Sequence, residues 1–321
     1  MKSARVSLAA LATGLPALGL SAQLLVLNKG AATLAFIDPA SGKTSAIVAT
    51  GDGPHEIELS SDGQLAFVSN YGSGTPGNTL SVIDVKARKE HKRVDLGELR
   101  RPHGLTFSDG RLYFTAEENR RIGRYDPAAQ RVDWTFETGE DRTHMVLASR
   151  DGATLFTTNM GSNSVSIIER ASGDEWRQTR VAVGAGPEGL DQSPDGRELW
   201  VAHSRDGGIS IIDVTNRKVT QTFDAKTRRS NRLKFTPDGQ LVLVSDLSGG
   251  ELVIIDARKR TERSRVKLGR SPTGILVAPD GRHAYVACSG ENHIAVVDLK
   301  SLSVSRTIET GESPDGMALV R

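Results

Sequence analysis

The chain has a single cysteine, Cys288, so no disulfide can form within it. Without a disulfide the chain must be held by its core or by closure of its fold. No excess of one charge is present either, with 41 Lys and Arg against 39 Asp and Glu. That balance excludes a general attraction to nucleic acid or to anionic lipid. Beyond the N-terminal segment there is no apolar run long enough to cross a bilayer as a helix. Helical periodicity is missing over any useful length. So are a Cys-x-x-Cys-His haem attachment, a phosphate-cradling Gly-Lys-Ser/Thr loop, an acidic calcium loop and a Gly-x-Ser-x-Gly elbow.

The first residues form a secretory leader pattern. Lys2 and Arg5 precede an apolar stretch, Val6 to Leu20, interrupted by Gly14 and Pro16, and Leu20-Ser21-Ala22 supplies a cleavage site. The reading is a signal peptide over 1–22 and a mature chain, 23–321, that is exported to the periplasm or secreted. Without Lys2 and Arg5, basic and acidic residues balance at 39 each.

What the mature chain has is repetition. Asp-Gly pairs begin at 62, 109, 151, 195, 238 and 280, at intervals of 42 to 47. Before each pair runs a short apolar segment, as in Pro54-His-Glu-Ile57, Pro102-His-Gly-Leu105, Pro187-Glu-Gly-Leu190 and Pro272-Thr-Gly-Ile275. After it comes a second strand (Ala66 to Asn70, Leu155 to Asn159, Leu199 to His203, Ala284 to Cys288), then an alternating strand ending in Asp (Asp84, Asp213, Asp256, Asp298). A more polar segment closes each unit. Four short strands per period are the pattern of a β-propeller, in which each unit is one blade.

The chain opens with second-strand sequence, Leu24 to Asn28, and finishes with first-strand sequence, Pro314 to Leu319. The two ends therefore complete one blade, which makes seven: 24–50 with 311–321, then 51–96, 97–138, 139–183, 184–223, 224–268 and 269–310. The expectation is an all-β, seven-bladed propeller of four-stranded blades, forming one domain and monomeric.

With Ser193-Pro-Asp-Gly196, Ala278-Pro-Asp-Gly281 and Tyr285-Val-Ala-Cys288 on the page, the chain resembles the YVTN-repeat family of seven-bladed propellers, YncE-like proteins among them. The likeness extends over nearly the whole mature chain and speaks for the fold more than for function. Locally, Pro54-His55 with Ser69 to Gly74 is similar to propeller lactonases. Pro102 to Leu105 with Arg121 to Arg124 is similar to streptogramin lyases. The lyase His/Glu pair has no counterpart in the last blades, where Thr273 and Asp315 stand.

Two rings of positions face the working end of such a propeller. The strand-start ring holds His55, His103, His144, Glu188, Asn231, Thr273 and Asp315. The second-strand ends hold Asn28, Asn70, Ala116, Asn159, His203, Asp246 and Cys288. Three imidazoles and a carboxylate in one register suit a divalent ion of the zinc, nickel, copper or iron kind, with His55, His103, His144 and Glu188 as ligands. The competing reading is that each histidine caps a turn as a duplicated structural residue. Glu56 and Glu188 are the candidate proton-transfer groups. Asn231, Arg232, His203 and Asp246 are the candidate ligand contacts, Arg232 for an anion because it lies at a strand start. The other basic residues of the funnel face, Arg100, Arg101, Arg120, Arg121, Lys226, Arg228 and Arg229, are interleaved with acids and read as solvated surface. Asn28, Asn70 and Asn159 are expected to tie down the turns that follow them. Cys288 reads as a small buried residue, and the glycine-rich insertion Tyr71 to Asn78 as a lid or a long hairpin loop.

Two functions fit. One is a binder of a small molecule or metal in the funnel, and as an enzyme a metal-assisted lactonase, esterase or lyase. The other is a non-catalytic envelope scaffold that binds a protein or a ligand across its upper face.

Overall fold

The computed structural model describes residues 22–320 apart from Asp174, so the leader reading over 1–22 falls almost wholly outside the described residues. Seven antiparallel four-stranded sheets follow one another along the chain. The first is composite: its order is Pro314–Val320, Gln23–Asn28, Thr33–Ile37, Thr44–Ala49, so the last strand of the chain pairs with the first. A short 3-10 turn, Glu117–Asn119, interrupts blade three. No described helix is long and apolar enough to cross a membrane.

Strand formation follows from the repeat. In four Asp-Gly turns a hydroxyl two residues upstream donates to the aspartate: Ser60 to Asp62, Ser149 to Asp151, Ser193 to Asp195 and Thr236 to Asp238, at 2.5–2.6 Å. The glycine that follows takes a φ of 67–75°, which an L side chain resists. The two middle strands of each blade are buried on both faces because each blade is covered by its neighbours. Leu25 and Leu27 of blade one pack with Ala66 and Val68 of blade two, and Trp200 of blade five with Val242 and Val244 of blade six. Fully burying one such aliphatic side chain contributes roughly 1.5–3 kcal/mol. Outer strands alternate with solvent instead, as Lys218–Asp224 does.

Thr106 and Asp191, deeper on the innermost strands, accept the amides of Ala148 (3.2 Å) and Phe235 (2.8 Å) in the following blades. These contacts join the inner strands into one ring.

Candidate functional site on the propeller axis

All seven innermost strands carry a β-bulge at the same place. Pairing with the second strand skips a residue between Pro54 and Ile57, Pro102 and Leu105, Thr143 and Val146, Pro187 and Leu190, Ser230 and Leu233, and Pro272 and Ile275. Blade one shows the same shift opposite Pro314 and Met317. A bulge re-aims side chains and ends regular pairing. Here the bulged pair is the strand-start ring residue and the one after it.

The position after the ring residue is glycine in four blades. A Cβ at Gly104, Gly189, Gly274 or Gly316 would stand 2.3–2.7 Å from backbone of the next blade. The remaining three positions hold Glu56, Met145 and Arg232.

A hydroxyl on the second strand fixes the bulge. Thr115 accepts the Gly104 amide (2.9 Å) and donates to the carbonyl of His144 in the next blade (2.6 Å). Thr158 does the same for Met145 and Glu188, and Ser245 for Arg232 and Thr273. Ser69 accepts the Glu56 amide. The ring residues are thereby oriented through their own backbones.

The three histidines meet on the axis. The rings of His55 and His103 are 4.4 Å apart between centroids, and those of His103 and His144 3.8 Å, both tilted. No ring nitrogen of the three is bonded to a turn backbone, and Nδ1 of His103 and both nitrogens of His144 are buried without a hydrogen bond. Capping is therefore not their role. His55 Nδ1 lies 3.0 Å from Asp315 Oδ2, which also receives Lys29 Nζ at 3.1 Å. His144 Nε2 is 3.9 Å from Glu188 Oε1, to which Asn231 donates at 2.5 Å. Arg232 donates to Glu56 and stands 3.7 Å from Glu188.

Burial, reinforced by His144, His55 and Arg232, holds the His103 pKa well below its ordinary value, so the imidazole is neutral. Burial alone would raise Asp315, but Lys29, His55 and Arg232 hold it well below the usual carboxylate range. Burial opposes the charge on Arg232, yet Glu56, Asp315 and Glu188 hold the guanidinium ionised.

Three participants sit one residue beyond the second-strand ends: Lys29, Tyr71 and Glu117. Tyr71 presents edges to His55 (5.3 Å) and His103 (5.4 Å) and donates to Glu117 at 2.9 Å. Glu117 receives Arg142 at 2.8 Å and lies 3.5 Å from His144 Nδ1. Burial would raise Glu117, but the nearby His144 ring and bonds from Arg142 and Tyr71 lower it to about 2. Sequence reasoning did not single these out, although their shared register after Asn28, Asn70 and Ala116 was a usable signal.

Of the other candidates, the structure brings Glu56, Asn231 and Arg232 to the histidines. His203 is fully buried and held by Asp206 at 3.0 Å, and Asp246 accepts the amides of Arg228, Arg229 and Gly249. Both are committed within the upper loops. Asn28, Asn70 and Asn159 keep extended backbones and bond to third-strand hydroxyls, Thr33, Thr79 with Ser81, and Ser164 with Ser166, instead of to their own turns. Burial pushes the Cys288 thiol up to about 12, as for an inert core residue. The insertion after Tyr71 is pinned as a hairpin loop: Ser73 donates its amide and hydroxyl to Asp52, and Gly77 bonds back to Tyr71.

Fold and ring together define a seven-bladed propeller with a polar cluster on its axis. Residues 3–320 match the family described as YNCE-like beta-propeller, and the chain belongs to that family. A stretch of 103 residues is 36% identical to the dihydro-heme d1 dehydrogenase of Pseudomonas aeruginosa, covering 30% of this chain and 19% of that protein. The chain thus spans about a fifth of that curated relative. Among solved structures it is similar to the Kuenenia stuttgartiensis hydrazine synthase (TM-score 0.76, 20% identity, 86% of this chain and 92% of that one). It is also similar to a putative 6-phosphogluconolactonase from Bacteroides fragilis (TM-score 0.79, 16% identity, 95% and 100%). At these identities the likeness establishes the fold alone.

Proposed function

We propose that this propeller is exported and binds a divalent transition metal on its axis through His55, Glu56 and His103. The observation that carries the reading is convergence: one ligand atom from each of the three lies within 4.8 Å of the others. Small side-chain rotations bring such a set to the roughly 2.0–2.2 Å reach of a zinc-type ion. The donor set suits that ion, since neutral imidazoles and a carboxylate are its ordinary ligands. Arg232 occupies Oε1 of Glu56 and leaves the second oxygen for the metal. Relative to the sequence reading, Glu56 joins the ligands, while His144 and Glu188 form an adjacent pair.

When bound, an ion of this kind polarises a carbonyl or acidifies a water. Glu188 Oε2, buried and without a partner, is a group able to take and return a proton, and Asn231 and Arg232 face its other oxygen. The enzymatic form of the reading is opening of a lactone or ester, or an elimination.

Metal analysis of the purified protein tests the reading. One equivalent of metal is expected in the wild type and none in His103→Ala. A metal-free protein whose unfolding temperature ignores added zinc, nickel and copper would overturn it. N-terminal sequencing of the periplasmic protein tests export, with Gln23 the expected first residue.

A further inference from the structure

We infer that the metal-loaded ring takes a small hydroxycarboxylate, its acid group held by Arg232 and its hydroxyl donated to one of the ring's unpartnered acceptors. This rests on the metal reading and names the ligand for the same site.

Charge supplies the first argument. At the rim, Arg142 and Glu117 neutralise each other. Around the axis two cations, Lys29 and Arg232, face three carboxylates, Glu56, Glu188 and Asp315. Imidazoles bind metals as neutral ligands. The cluster alone therefore carries one surplus negative charge, and a divalent ion turns it into one surplus positive charge. Uncompensated charge in a buried setting is expensive. Arg232 and Asp315 have side chains only 5% and 1% exposed, so solvent compensates little at these two groups. A monoanion restores neutrality.

Arg232 identifies where the anion binds. Its guanidinium cannot lose its proton, and it is the buried cation that pairs directly with Glu56, one of the metal's ligands. An ion that draws on Glu56 weakens that pairing and turns Arg232 N–H groups toward the incoming carboxylate. Metal and anion then favour each other.

Unpartnered atoms identify the rest of the ligand. Glu188 Oε2, Asn231 Oδ1 and Asp315 Oδ1 are buried acceptors without a donor. A bare carboxylate brings acceptors only and leaves them unsatisfied. A hydroxyl on the same molecule supplies a donor to one of them.

A cleft of about 370 Å³, lined by Lys29, His55, Tyr71, Gly72, Arg101 and Ser313, meets the cluster at His55 and Lys29. That volume suits a small metabolite and not a polymer. Lys29 and Arg101 at its walls favour anions over cations on the way in.

The test is calorimetric titration of cobalt-loaded and metal-free protein with glycolate, acetate and glycolamide. Glycolate is expected to bind the loaded protein about tenfold more tightly than the metal-free protein, and to raise cobalt affinity by the same factor. Acetate, lacking the hydroxyl, binds about tenfold more weakly than glycolate, and glycolamide, lacking the charge, does not bind. In Arg232→Gln, checked for folding by circular dichroism, the preference for glycolate over glycolamide disappears. Cobalt uptake with equal glycolate affinity in loaded and metal-free protein overturns this inference and leaves the metal reading standing. So does glycolamide binding as well as glycolate in the wild type. Failure of cobalt uptake overturns both.

Discussion

Arg232, on the innermost strand of blade six, donates to Glu56 on the innermost strand of blade two, 176 residues earlier in the chain. The pair crosses the propeller axis beside the clustered histidines. It joins two blades that are not neighbours in the ring.

Removing one member of a buried ion pair leaves the other charge stranded. Glu56→Gln is expected to lower stability by about 3 kcal/mol in urea unfolding of chelator-treated protein, with Glu188 at 3.7 Å limiting the loss. Adding Arg232→Gln should recover part of it. A double variant less stable than Glu56→Gln by the full cost of a second, independent loss contradicts the pairing.

The hydroxyl that fixes a bulge also predicts an outcome. Thr115→Val keeps the shape but strips the partner from the Gly104 amide and the His144 carbonyl. A loss of about 2 kcal/mol is expected, with Thr115→Ser close to wild type in the same denaturation series. Equal stability of the Val and Ser variants would show that the hydroxyl does not hold the ring.

Much of the fold was legible because the repeat writes it out seven times. Asp-Gly turns mark the hairpins, and second-strand sequence at the start with first-strand sequence at the end announces the composite blade. The register of His55, His103, His144 and Glu188 was legible for the same reason. What could not be read was which neighbours they meet. Arg232 reaches Glu56 only because the ring closes, a geometry no local pattern encodes. Lys29, Tyr71 and Glu117 share a register but differ in type from blade to blade, so only their position, and not their chemistry, was legible in the repeat. Ser69, Thr115, Thr158 and Ser245 were visible as a recurring hydroxyl, but their role depends on a bulge whose existence the sequence does not state.

Glu117 gives a pH signature. Its folded pKa of about 2 lies below the ordinary 4.5, so the unfolded chain binds more protons between those values. Its contribution is fully present above pH 4.5 and is lost as pH falls toward 2. It amounts to on the order of 3 kcal/mol. Glu117→Gln should be less stable than wild type by about that much at neutral pH, and the difference should shrink below pH 4. A gap independent of pH in acid unfolding would rule out ionisation as the cause.

Close approach between blades gives a further test. A Cβ at Gly274 would lie 2.3 Å from the Asp315 carbonyl oxygen. Gly274→Ala should destabilise by roughly 1–3 kcal/mol through overpacking. Gly63→Ala, which meets no atom within 4 Å, reports backbone strain alone. Thermal unfolding reads both losses, and metal analysis distinguishes them, because metal content should fall only in the first.

Pairing of the chain's last strand with its first has a consequence for synthesis. Asp315 lies on that last strand, and its carboxylate meets Lys29 of blade one and His55 of blade two. A ribosome has made six complete blades before this residue exists. A product that stops short of it can fold much of its sheet structure and still lack a finished axis. The axis is therefore finished only once this strand has docked on the first, which makes assembly of the polar centre a late step of folding.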